Sequence, residues 1–265
     1  MMEVTVAGVG ILGPGLPDWD SARPVLLGQS PYRPVPLGRI DASHLPRLER
    51  RRATPTVRLA SAVAFQAFPG GGEDTENLVS VFASSDGDTD TFDRICRSLA
   101  EPEPWISPHG FHNSVHNAPS GYWSIASGCR GGSTSLSAYD DSFSAGLVEA
   151  VTTLATEPDG RCLFVAYDQK VPPTLAPVRG IGETFACALY LSRVPQEGAP
   201  RLTLAGPTGS SAPVDALPDP ALENLRLANP AARGLTLLRL LAAEEPGRVV
   251  LPWLESGLGV EVRRG

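Results

Sequence analysis

Cys129 lies among three glycines, Gly128, Gly131 and Gly132, in the run SIASGCRGGSTSLSAYDD at 124–141. A short strand-like stretch precedes it, and a helix of small residues is predicted from Gly131 to Ala155. This puts the thiol at a strand-to-helix turn. The positive end of a helix dipole lowers a thiol pKa there, and glycines permit a strained elbow and close backbone approach. A buried structural cysteine is the alternative, and the local pattern leaves both open. A thiol nucleophile also needs a base within hydrogen-bond reach, and His112 and His116 stand upstream in WISPHGFHNSVHNAPSGYW. Such a pair would support acyl transfer or thioester hydrolysis. His109, His112 and His116 do not read as a metal set. Pro108 and Pro119 break their segment, no nearby Asp or Glu completes it, and Cys96, Cys129, Cys162 and Cys187 form no CxxC pair. Neither a metal nor another cofactor is expected. Hydrogen bonding within a buried loop, shared with Asn113 and Asn117, is the expected role of these histidines.

Gly8, Gly10 and Gly13 spell GxGxxG directly after a predicted strand, Met2–Gly8. Dinucleotide binding needs a helix to begin inside that turn, so that its first amides face the pyrophosphate. Pro14, Gly15 and Pro17 delay the helix to Trp19, so a tight turn is expected instead. Arg47, Arg50, Arg51, Arg52 and Arg58 are the only basic concentration in a chain of net charge −7. They read as a solvated helix start or as a docking patch for an acidic partner, whose carboxylates or phosphates suit guanidinium forks. The acidic balance argues against nucleic acid or an anionic membrane as the main partner. Lys170 is the only lysine, so a lysine-dependent step has a single candidate.

An α/β frame must hold these groups. With 265 residues, 42% hydrophobic and 19% charged, the chain can bury a core as one large domain or two small ones. Its 27 glycines and 26 prolines are spread along it without a repeat. Leu78–Ser84 and Arg161–Tyr167 are continuous apolar runs, as in strands covered on both faces. Leu45–Phe68 reads as one long helix stopped by the glycines at 70–72, and Thr89–Leu99 as another. Phe185–Ser192 and Arg201–Ala205 read as an antiparallel pair, and Gly206–Pro220 as a linker. One or two helices over 221–241 and a strand at Arg248–Leu251 follow. The resulting order is that of a mixed sheet with helices on both faces. The opening residues lack the pattern of a secretory signal, and no apolar run approaches the ~18–20 residues of a membrane span. A cytoplasmic setting, free cysteines and no membrane insertion are therefore expected.

NSVHNAPSGYWSI (113–125), the stretch around Cys129 and RCLFVAY (161–167) together resemble the N-terminal half of β-ketoacyl synthases of the thiolase fold. VTVAGVGILGPG (4–15) is similar to that fold's opening strand and turn, and LERRRATPTVRLASAVAFQA (48–67) to its first long helix. FACALYLS (185–192) with RLTLAG (201–206) looks like the hairpin that closes the half. Within the superfamily, HNSVHNAPSGYWSIASGCR and STSLSAYD most resemble half-length ketosynthase-like N-terminal domain proteins. These include chain-length-factor-like subunits found with aryl polyene synthesis systems. The resemblance implies a single half of a thiolase-like fold at 1–206, a linker at 207–220 and a short C-terminal α/β extension at 221–265, packed on the domain or on its partner. The leucines at 235, 238 and 241 suit an amphipathic helix for that packing. Cys129 falls where a ketosynthase carries its acyl-accepting cysteine.

Ketosynthases condense with that cysteine, two histidines and a lysine, the latter groups coming from the second half of the double fold. Here His44, His109, His112 and His116 all precede Cys129, Lys170 comes early, and 45 residues (221–265) follow the linker. The condensing site is therefore not expected to assemble in cis, and Cys129 is expected to be vestigial or to line an interface. The resemblance implies a non-condensing, chain-length-factor-like subunit that joins a full-length ketosynthase as a heterodimer. It would shape that partner's acyl tunnel in polyene or fatty-acid-like synthesis with an acyl carrier protein. Strand pairing across a dyad near SVHN would place Asn113, Ser114, Val115, His116, Asn117, Tyr122 and Trp123 in the interface. Arg50, Arg51 and Arg52 are candidates for carrier-protein docking. A Cys129 acyltransferase or thioesterase using His112 or His116 is one alternative, and a homodimeric carrier-binding scaffold without catalysis is another.

Overall fold

Side chains alternate across a strand, and here both sets are apolar. In β4 (Arg161–Asp168), Cys162, Phe164 and Ala166 enter one core, while Leu163, Val165 and Tyr167 enter a second on the opposite face. The computed structural model describes residues 3–68, 75–157, 160–208, 213–243 and 245–265. The glycine run at 70–72 and residues 209–212 of the expected linker lie outside the described residues. Around β4 stand β1 (Glu3–Leu12), β2 (Val79–Ala83), β3 (Ser133–Leu136), β5 (Phe185–Ser192), β6 (Pro200–Thr208), β7 (Gly247–Trp253) and β8 (Ser256–Arg264). They form one sheet in the order β3-β2-β4-β5-β1-β6-β8-β7. β3, β2 and β4 run parallel, and the remaining pairs are antiparallel.

Helices cover both faces. α1 (Trp19–Leu26), α7 (Ser142–Thr156), α8 (Pro220–Ala228), α9 (Leu235–Ala242) and a 3-10 turn at Ala231–Gly234 line the first core. Leu235, Leu237, Leu238 and Leu241 of α9 are buried there, so the C-terminal segment packs on this chain's own sheet. α3 (Pro55–Ala67) and α6 (Ala118–Ser127) line the second core. α2 (Arg47–Arg52), α4 (Thr89–Leu99) and α5 (Pro108–Asn113) lie further out.

Several expectations are corrected. The long helix over Leu45–Phe68 is two, α2 and α3. Thr54 caps α3 by accepting from the Val57 amide at 3.3 Å, and Pro55 opens it, since proline disfavours a helical residue before itself. Phe185–Ser192 and Arg201–Ala205 do not pair with each other, because β1 lies between them and pairs with both β5 and β6. The loop expected over 105–123 contains α5 and the first half of α6, and the helix expected from Gly131 is instead β3, a 3-10 turn at Tyr139–Asp141 and then α7. The glycines of GxGxxG serve packing. A Cβ on Gly8 would come within 2.0 Å of the Ala67 carbonyl oxygen, and one on Gly10 within 2.2 Å of that of Val63, so they let α3 lie directly on β1.

The two sheet edges differ. Among the described residues β3 pairs only with β2, leaving an open edge of Ser-Thr-Ser-Leu. At the far end the Asp215 amide donates to the Val250 carbonyl at 3.0 Å, and the Val250 amide donates to the Asp215 carboxylate at 2.6 Å, closing the middle of β7. No helix among the described residues is long and apolar enough to cross a membrane.

Candidate functional site

The strand-to-helix elbow exists, ten residues beyond Cys129. β3 ends at Leu136 and α7 begins at Ser142, with Tyr139 at the bend in a left-handed conformation, φ 53°. A non-glycine residue there is strained, and such strain gathers at functional positions. Local bonds hold the bend: the Ala138 amide donates to the Ser142 hydroxyl at 3.0 Å, which donates to the Tyr139 carbonyl at 2.7 Å. The Ser137 hydroxyl donates to the Ser85 carbonyl at 2.7 Å, tying the elbow to the end of β2. These are the carboxyl ends of the parallel strands, where α/β sheets place their sites.

Arg179, carried by the loop between β4 and β5, closes the elbow. Its guanidinium donates to Asp86 at 2.7 Å, to Asp140 at 2.8 Å and to the Ser85 hydroxyl at 2.5 Å, and it lies 4.1 Å from the centre of the Tyr139 ring. Beneath it Asp168 is fully buried at the end of β4, accepting from the Ser84 hydroxyl at 2.9 Å and the Ser85 amide at 2.8 Å. Burial pushes its carboxyl pKa up to about 7, against the lowering effect of the Ser84 bond. His116 Nε2 lies 3.1 Å from the Ser84 carbonyl, which makes that nitrogen the N–H donor. The elbow thus presents a phenol, a guanidinium clamp and a buried acid. Its apex is not a thiol.

Cys129 is placed differently from the expectation. α6 has Pro119 in its first turn, and Gly128 beyond its end takes φ 73°, the usual start and stop marks of a helix. Cys129 therefore follows the negative end of a helix rather than preceding the positive end of one. Its thiol donates to the Leu78 carbonyl at 2.9 Å, and it packs with Trp123 and Leu59 in the second core, where burial raises its pKa. Among the described residues no hydrogen bond joins its sulfur to His112 or His116. Lys170 is exposed after β4. No group of His, Cys, Asp or Glu among the described residues could hold a metal ion.

The expected interface residues divide in two. Asn113, Tyr122 and Trp123 face inward. The Asn113 side-chain amide donates to the Arg52 carbonyl at 3.0 Å, Tyr122 is buried with Leu45 and Val57, and the Trp123 ring meets Phe65 with centroids 4.7 Å apart and planes tilted by 58°. Ser114 and Asn117 belong to the helix ends, the Ser114 hydroxyl donating to the Phe111 carbonyl at 2.8 Å. Val115 is exposed, and so are Phe111 and Ile125. Arg50, Arg51 and Arg52 are all exposed, and the Arg50 guanidinium donates to the Ser43 and Leu45 carbonyls at 2.7 and 3.0 Å. Sequence reasoning missed Tyr139, Arg179 and Asp168. The small-residue helix after Tyr139 was the available signal for the first, and the other two arrive from β4 and its loop.

The chain belongs to the family of β-ketoacyl synthase N-terminal domains, whose model matches residues 27–242. Among solved structures it is similar to a chain in the complex of the ketosynthase ApeO with its chain length factor ApeC from Xenorhabdus doucetiae. That match has 22% identity over 98% of this chain and 100% of the other, with a TM-score of 0.74. The ishigamide ketosynthase/chain length factor matches at 10% identity over 98% of each chain, TM-score 0.71. A complex of a type II PKS acyl-carrier protein with its hexaketide-bound ketosynthase matches at 12% identity over 98% of each chain, TM-score 0.74. At these identities the likeness establishes the fold, a thiolase-like ketosynthase half. No curated protein matches the chain.

Proposed function

We propose that the chain is a non-condensing, chain-length-factor-like subunit that pairs with a full-length ketosynthase and stabilises and shapes that partner's acyl tunnel, in synthesis with an acyl carrier protein. The observation that carries this reading is the elbow: its apex is Tyr139, with the Arg179 guanidinium against one face of its ring, in place of an acyl-accepting thiol. Cys129 is then a structural residue of the second core. Residues 1–206 form the ketosynthase-like unit, and 221–265 cover the α7 face that a double fold would cover with its second half. Supporting the pairing, 7 of the 14 large hydrophobic residues exposed among the described residues fall from Phe92 to Tyr139, on α4 to α6 and in the segments that follow α4 and β3. Val115, Phe111 and Ile125, with the open edge of β3, are the proposed contact surface.

Co-expression with a full-length ketosynthase and size-exclusion chromatography tests the pairing. A heterodimer is expected, lost in a Phe111→Asp/Ile125→Arg variant that retains its own fold by circular dichroism. Incubation of the isolated chain with acyl-carrier thioester, followed by mass spectrometry, is expected to show no adduct at Cys129. Acylation of that residue would instead support the acyltransferase reading, which the Cys129–Leu78 hydrogen bond disfavours.

A further inference from the structure

Away from the elbow, a cavity of about 460 Å³ opens between the start of α3, α4 and α5. The size is that of small-ligand sites, which pair an apolar wall with a few convergent polar groups. Its wall is supplied by Ile95, Trp105 and Ile106, and its polar groups include Arg52, Arg94 and His109. The two guanidiniums are weakly compensated. Arg94 donates to the Asp90 carbonyl at 3.3 Å and the Thr91 hydroxyl at 2.8 Å, and no carboxylate among the described residues lies within 4.0 Å of it. The neighbouring Asp90 carboxylate is engaged by the Gln169 side-chain amide at 2.7 Å. For Arg52 the partner carboxylate is Glu49, at 3.9 Å. Two arginines beside an apolar wall, on a chain of net charge −7, complement a molecule that is anionic at one end and greasy along the rest.

We propose that this cavity binds a small amphipathic anion, a carboxylate or phosphate joined to an apolar arm. Arg52 and Arg94 hold the charged group, and Ile95, Trp105 and Ile106 lie along the arm. Trp105 belongs both to this wall and to the exposed hydrophobic stretch of the pairing surface, so binding is tested on the isolated chain and its failure is read separately from a failure of the pairing. An acyl-chain carboxylate and an alkyl phosphate both carry this chemistry, and the two are separable by experiment.

The full chain is titrated by isothermal calorimetry with octanoate, octyl phosphate and octan-1-ol, with Trp105→Phe used to locate the tryptophan fluorescence response. Saturable binding of at least one anion is expected, about tenfold tighter than the alcohol, weakening as salt rises. The anion that binds tighter names the source. Arg94→Gln, with Arg52→Gln as a second variant, is expected to cost about tenfold in affinity for the anion and to leave the alcohol unchanged. Circular dichroism confirms that both variants fold. Equal binding of octanoate and octan-1-ol, unchanged affinity in both variants, or no saturable binding of either anion would overturn the proposal.

Discussion

A thiol that donates to a carbonyl inside an apolar core is slow to ionise, and Cys129 is in that position. Burial pushes Cys162 up to about 12 and raises Cys187 as well, while Cys96 is exposed. Iodoacetamide at pH 8 is therefore expected to label Cys96 first and the other three only in urea; peptide mass spectrometry reads the order, and a Cys129 as fast as Cys96 would contradict its placement. Asp168 gives a pH dependence of defined sign. Its folded pKa of about 7 exceeds the ordinary carboxylate value near ~4, so between those pH values the folded state holds a proton that the unfolded state has released. This contribution to stability is complete at acid pH and is lost as pH rises towards 7. Asp168→Asn should gain on the wild type as pH goes from 5 to 8, measured by urea midpoints; a parallel pair of curves would refute it. At the elbow, Arg179→Ala leaves Asp86 and Asp140 without their cation and takes the guanidinium from the face of the Tyr139 ring. A loss of about 2 kcal/mol in chemical denaturation is expected, with Arg179→Lys recovering only part of it.

At the scale of elements, close contact between α3 and β1 makes Gly10→Ala costly. The new methyl would meet a backbone oxygen that cannot turn away, and about 2–3 kcal/mol of stability should go, measured by urea unfolding. Strands buried on both faces were legible: β2, β4 and β5 are apolar runs that little else explains. α4 was legible to its ends, with Asp88 accepting from the Thr91 amide at the cap. β3 was not legible, because an edge strand of serine and threonine beside a single neighbour carries no hydrophobic signature. α6 does carry its marks, Pro119 and Gly128. The apolar run before Cys129 and the glycines around it read instead as a strand and turn, which put the elbow ten residues towards the N-terminus. Arg179 had no local signal at all, since a loop 40 residues further along brings it to Tyr139. The order of β5, β1 and β6 was equally hidden, for strand neighbours joined across the whole chain leave no trace in spacing.

For the whole molecule, the sheet unites residues from both ends of the chain: β1 pairs with β6, and β6 with β8. Cutting the chain after 206 would strip α8 and α9 from the first core and expose α7 and β5. The shortened chain is expected to aggregate or to lose its cooperative thermal transition, whereas a separate soluble 1–206 with wild-type melting would show that the extension is dispensable. The contrast between the two sheet margins has a last consequence. With Asp215 bonded across the middle of β7 and β3 open along its length among the described residues, addition of another sheet is favoured at the β3 margin, which suits a closed couple better than an endless ribbon.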